Sequence, residues 1–468
     1  MPILTRKGVA VLSVIIGLGA CTRLPPSQVA EVDPAPSAPP VASAPSASSE
    51  PTEPSEPKTS TEQSFATAIE TLVTQLFALF AEDARRLDQA VARLCHHVGD
   101  EAHSSGLGSR PEHADREAPV TRASALIAAQ SSWRATALSW ARASVLATGP
   151  SLTDNRQTRI NAWPVRAGLV SRQTLALTRL ATEASTDELR RQVSQGSAAV
   201  QGLPALELLL FSDLPKALGP AQTRVSEGDA ATPAAVPATT RTPEVAACRV
   251  TAEIAGHLAR TADSLLSDWR HWAVLRDAMT SLQAAAPYAA TSSPPQAESA
   301  DADPAPDART AAFRTLQDRL LNGLLGHIRH LSRDTVGSLY AYSNDPSRLT
   351  VLEYAWSRTS MAALKAGLDA VCSTLSPATG LLIDLAAHPA SAAAGSRDPM
   401  ADLQVTLQAT TEAAAALPDP IENHPLAPAD IAALQALSLQ LERLHRLMET
   451  QVIPALGLTV DFNSADGD

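Results

Sequence analysis

Aromatic residues are scarce in this chain: six Phe, six Trp and four Tyr among 468 residues. No extended alternation of Val, Ile and Thr is present, while Ala and Leu dominate, so a sheet-based fold is excluded and an all-α protein is expected. Positive charge is also short. Lys and Arg number 37 against 49 Asp and Glu, a net charge of −12, and no arginine stripe interleaved with aromatics offsets it. That balance excludes a nucleic-acid partner. The signatures of familiar catalysis are missing as well: no His-Glu-x-x-His, no Gly-x-Ser-x-Gly elbow and no Gly-rich phosphate loop, which argues against an enzyme.

One long apolar run does occur, and it is N-terminal. Arg6 and Lys7 precede the run at 9–18, which is well short of the ~20 residues needed to span a bilayer as a helix. The closing Leu18-Gly19-Ala20-Cys21 resembles a bacterial lipobox. That resemblance implies cleavage before Cys21, diacylglycerol on its sulfur and an acyl chain such as palmitate on the new N-terminus. Thr22 in place of Asp then sorts the lipoprotein to the outer membrane, facing the periplasm. An ordinary signal peptide with an incidental cysteine is the alternative. Residues 22–62, rich in Pro, Ala and Ser, read as a disordered spacer.

Beyond the spacer, helical periodicity recurs. Phe65, Ile69, Leu72, Leu76, Phe80, Leu87, Val91 and Leu94 predict a long helix, and Ile127, Trp133, Leu138, Trp140 and Leu146 a second over 122–148. Low-complexity stretches at 223–243 and 287–307 interrupt the pattern. Later helices are expected at 245–285, 309–341, 350–374, 398–416 and 428–453. The predicted architecture is an N-terminal bundle at 63–222, a linker at 223–243 and a C-terminal bundle at 244–460 that carries the second insert.

The string 202–211, Gly-Leu-Pro-Ala-Leu-Glu-Leu-Leu-Leu-Phe, places one carboxylate in an apolar helix. A helix apolar all round is buried, so Glu207 must be protonated, paired with a cation or bound to a metal. Arg159, Arg166 and Arg358 are candidate partners, and a purely architectural pair is the competing reading. His327 and His330 share a helix face, but the nearby Arg329 and Arg333 favour a solvated one. His445 with Glu449, and the adjacent His96 and His97, read as surface.

Trp133-Arg134 with Trp140, Arg159-Ile160-Asn161-Ala162-Trp163-Pro164, Gly202-Leu203-Pro204-Ala205-Leu206-Glu207, Cys248, the 320–325 Leu-Leu-Asn-Gly-Leu-Leu and Trp356-Ser357-Arg358-Thr359-Ser360 together resemble the imelysin family over residues 65–455. The resemblance implies two pseudo-symmetric helical bundles with a site near their interface, in envelope proteins linked to iron uptake, one member of which has been described as a peptidase. The family's Gly-x-His-x-x-Glu signature falls on Gly202, Pro204 and Glu207, with proline at the histidine position. A lone carboxylate is a poor transition-metal site. Proline there also has a bland role at a helix start. The implied ligand groove centres on Glu207, with Gly202, Pro204, Arg159, Trp163, Arg358 and Ser360 around it. Iron or another divalent metal is the implied cofactor, at Glu207, and an envelope protein is a further possible partner. Trp163 equally suits a core, and Ser360 a helix cap. The resemblance also implies a Cys95–Cys248 disulfide, leaving Cys372 free.

Overall fold

The computed structural model describes residues 58–104, 121–213, 243–283, 308–376, 379, 381–382, 398–423 and 426–460. Cys21, the signal segment and nearly all of both low-complexity inserts lie outside them. Among the described residues there is no strand, and the fold is all-α. None of their helices is long and apolar enough to cross a membrane.

The first helix, α1 (Lys58–Ser104), starts one residue after Pro57, inside the stretch expected to be spacer. Proline is tolerated at a helix start but not in its interior, so the last proline of the tract sets the boundary. The buried stripe is Ile69, Val73, Phe77, Phe80, Ala84, Leu87, Val91, Leu94 and Val98. Leu72 and Leu76, expected on that stripe, pack only partly against the core. Two long partners cover α1: α2 (Arg122–Ala143), capped by the Thr121 hydroxyl on the Ser124 amide, and the helix at Pro243–Arg270. Phe80 meets Trp140 of α2 at 5.0 Å, and Phe77 stacks on Trp269 at 5.1 Å. Ile127 of α2 points outward instead, 66 % exposed.

Short elements follow α2: α3 (Arg156–Ile160), α4 (Ala167–Ala181), α5 (Thr186–Gln195) and α6 (Leu203–Leu208). The helix at Pro243–Arg270 is α7. It follows the insert expected to separate two bundles, yet packs on α1, α4 and α5. Its apolar face (Ala246, Val250, Ile254, Leu258, Ala262, Leu265, Trp269) matches that of α1, so burial joins it to the first group of helices. Cys95 of α1 and Cys248 of α7 form a disulfide across 153 positions of sequence.

The second group comprises α8 (Ala273–Gln283), α9 (Ala308–His330), α10 (Val336–Asn344), α11 (Ser360–Thr374), α12 (Pro399–Ala415) and α13 (Pro428–Leu447). It joins the first through α11 on α2 and α8 on α1, and one continuous apolar cluster runs through both. Two expectations fail here. The helix expected at 309–341 is interrupted by a π-helical turn, Leu331–Thr335, and that expected at 350–374 begins only at Ser360. Cys372, expected in a core, is buried in α11.

Replacing both Cys95 and Cys248 by Ala should lower stability by about 3 kcal/mol, because the long loop between them gains freedom in the unfolded chain. The shift of a urea unfolding midpoint relative to the oxidised protein measures it.

Candidate ligand-binding site at the junction of the helix groups

Gly202 precedes α6 in extended backbone, and a Cβ there would lie 2.1 Å from the Ile160 carbonyl oxygen and 2.4 Å from that of Arg159. Only glycine allows this close approach. Leu203 and Pro204 form the first positions of α6, where the missing proline N–H leaves no intrahelical bond unmade. The Trp133 indole N–H donates to the Leu203 carbonyl at 3.1 Å and its ring sits edge-on to Tyr354 at 5.4 Å. These contacts direct Glu207 into the interior, 1 % exposed.

The partners of Glu207 come from a turn that precedes α11. Its Oε1 accepts from the Ser357 backbone N–H at 2.9 Å and from the Ser357 hydroxyl at 2.8 Å. Neither Arg159 nor Arg358 supplies them: both are exposed, and so is Arg166. The cation that couples to Glu207 is Arg134, which also donates to the Ser357 carbonyl at 3.3 Å and lies 4.7 Å over the Phe211 ring. Burial is the main force on the carboxyl. The Ser357 bonds oppose it, Glu353 and Glu422 reinforce it, and the pKa is pushed up to about 8.

The turn from 353 to 360 is bent by two residues with positive φ, Tyr354 (58°) and Arg358 (57°). For a residue as bulky as Tyr354 this backbone region is costly, and such strain collects at functional sites. Ser360 is buried at the start of α11, its hydroxyl engaged with the Glu353 carbonyl and the Glu422 carboxylate. It braces the turn, and those bonds occupy the hydroxyl that a ligand would need.

Behind the turn lies a cavity of about 150 Å³. Trp140, Ala141 and Ser144 of α2 line it on one side, with Gln157, Asn161 and Trp163 from α3 and the loop after it. Glu353 and Tyr354 come from the turn. His327 and His330 of α9, Leu331 and Thr335 of the π turn, and Gly367 of α11 close the other side. Both helix groups therefore contribute. Trp163, weighed above as core or pocket, is half-buried in this wall.

The wall is polar and poorly satisfied. Asn161 donates to Glu353 at 2.6 Å, but its Oδ1 has no partner; nor have Trp163 Nε1, His327 Nε2 and Thr335 Oγ1. Tyr354 Oη faces the Glu353 carboxylate without a well-formed hydrogen bond. Buried polar atoms are normally paired, so five unpaired ones around one cavity point to a ligand or ordered water. His327, expected at the surface, is 5 % exposed, and burial drives its pKa down to about 3, leaving it neutral. The His330 Nδ1–H donates to the Asp334 carboxylate at 2.9 Å. Burial works against its cation but is outweighed by that bond and by Glu353, so its pKa rises.

These residues were missed in the sequence because the turn at 353–354 reads as helix and the arginines beside the histidines suggest solvent. The signal that could have found them is the i,i+3 pair itself, read together with Asn161 and Trp163. As a metal site, Glu207 does not fit. Its Oε1 already accepts two hydrogen bonds, proline removes the imidazole, and no three His, Cys, Asp or Glu side chains converge among the described residues.

The family model described as Imelysin (Peptidase M75) matches residues 73–448. The chain belongs to the imelysin family. No curated protein matches it. Among solved structures, an imelysin-like protein from Psychrobacter arcticum is similar at a TM-score of 0.54 and 18 % identity, covering 87 % of this chain and 99 % of its own. A protein from Parabacteroides distasonis, provisionally described as an iron-regulated protein A precursor, gives 0.48 at 12 % identity, covering 85 % and 95 %. The first likeness concerns the fold alone. Membership fits the local geometry: in this imelysin the glycine of the signature serves a backbone contact and its glutamate holds a turn.

Because Glu207 ionises near 4.5 when unfolded and near 8 when folded, the folded chain holds one more proton between those values. Its contribution to stability is complete below about pH 4.5 and is lost as pH rises toward 8, on the order of 1 kcal/mol per pH unit. Glu207→Gln keeps an acceptor for Ser357. It should flatten that part of the profile and unfold later than the parent at pH 8, as read by urea midpoints from pH 5 to 8.

Proposed function

We propose that this imelysin-family protein is a ligand-binding protein of the bacterial envelope, tethered to the outer membrane through lipidated Cys21, and that it holds a small polar ligand in the cavity beneath Trp163. The observation that carries this reading is the convergence of Asn161 Oδ1, Trp163 Nε1, His327 Nε2, Thr335 Oγ1 and Tyr354 Oη on one partly enclosed space. Binding is favoured over peptidase chemistry because the wall holds no activated nucleophile and no metal-ligand triad. The role in iron acquisition that the resemblance implies would run through whatever this cavity carries, with Glu207 as a neutral structural acid.

The test is native mass spectrometry of the full-length protein released from membranes, with metal analysis in parallel. We expect a bound small molecule in the unaltered protein and none in His327→Leu, which should stay folded because it removes an unpaired buried polar atom. Stoichiometric iron that is lost in Glu207→Ala would instead restore the metal reading. Cys21→Ser should move the protein from the membrane to the soluble fraction.

A further inference from the structure

The charged side chains facing the cavity are few. Apart from neutral His327, the acidic and basic side chains that line it are Glu353 and His330, and His330 is paired with Asp334. Glu353 receives one neutral donor, the Asn161 amide, and makes no ion pair with any described residue. One more acid, Glu422, is tied to the same turn through Ser360, while Glu207, held by Ser357, is neutral. Against them stand Arg134, on the far side of Ser357, and the exposed Arg358. Glu353 is partly buried and shares the nearby His330 with Asp334, so a ligand that brings a cation of its own lowers the cost of holding that carboxylate away from water.

Hydrogen-bonding capacity leans the same way. Glu353 and Asn161 Oδ1 can only accept, while Thr335, Tyr354 and neutral His327 can accept. Trp163 Nε1 is the single obligate donor among the unpaired atoms. An ammonium group offers three donors and no acceptor. The remaining surface is aromatic and aliphatic: Trp140, Trp163, Tyr354, Leu331 and Leu364. Aromatic faces attract cations, most strongly where water is excluded. A volume of about 150 Å³ is of the size that accommodates benzene, hence a molecule of a few carbons.

We infer that the cavity binds a small organic ammonium ion, with Glu353 meeting the charge, the aromatic wall holding the carbon frame and Trp163 Nε1 donating to an oxygen on the same molecule. This rests on the binding reading given above. A bare metal ion matches less well, because the described His, Cys, Asp and Glu side chains do not converge in threes.

Calorimetric titration of the full-length protein with three probes of one shape tests it: aminobutanol, butanediol and hydroxybutyrate. Aminobutanol should bind, with the neutral and anionic probes weaker by roughly tenfold or more. Glu353→Gln keeps the Asn161 bond; it should weaken aminobutanol by roughly tenfold while leaving butanediol unchanged. Equal or tighter binding of butanediol or hydroxybutyrate overturns the cation assignment and leaves the small-ligand reading standing. No binding of any probe also overturns the assignment, and the mass-spectrometric result then decides the broader reading alone. Should Glu353→Gln not fold, the three-probe comparison on the unaltered protein is decisive.

Discussion

The contact on which the site depends is the pair of hydrogen bonds from Ser357 to Glu207. They join α6, in the first group of helices, to the turn before α11, in the second. Everything that turn presents, the Glu353 carboxylate and the Tyr354 ring included, is aimed by it. The turn is strained at Tyr354 and Arg358, and strain of that kind persists only where surrounding contacts over-determine the backbone. Three contacts do so here: Ser357 on Glu207, Ser360 on Glu422, and Trp133 packed between Leu203 and Tyr354. A buried acid is an expensive way to hold a turn, but a protonated one avoids most of the charge penalty and still accepts both bonds.

This explains how position 204 can be proline. With histidine, the same helix start would offer an imidazole beside Glu207, a pair suited to a cation or a metal. With proline, the segment keeps its helical start and loses the second ligand. Gly202 must remain glycine for a reason independent of either chemistry, because the Arg159–Ile160 carbonyls occupy the space of its Cβ. The roles of Gly202 and Glu207 are backbone roles here and do not depend on the residue at 204.

Much of the architecture was legible in the residues and some was not, for physical causes that differ. The buried phase of α1 was nearly right, since Phe80, Leu87, Val91 and Leu94 lie on it. Leu72 and Leu76 missed it because apolar neighbours compete for one stripe, and only tertiary packing chooses Val73 and Phe77. The boundary at 223–243 misled because a low-complexity insert marks a break in composition and not a break in packing. The long apolar face of α7 is completed by α1, whatever lies between them in sequence. At the site, burial of Glu207 followed from its apolar neighbours. Its partner did not: the arginines nearby in sequence suggest an ion pair, whereas a neutral acid asks for donors without charge, and a serine supplies two.

The histidines show the limit most sharply. His327 and His330 sit among arginines, and local sequence cannot tell which face of α9 meets α2 and α11. The π turn at 331–335 follows directly, and its Leu331 and Thr335 line the same wall as His327 and His330. A fold optimised for stability alone would fill this volume with aliphatic side chains, as it does a few residues away at Leu324 and Ile328. Here the chain instead accepts a strained tyrosine, an interrupted helix and several buried polar atoms without protein partners, all around one space. Local departures of this kind are tolerated where something other than stability constrains the sequence, and five unpaired buried polar atoms gathered around one cavity weigh toward such a constraint here.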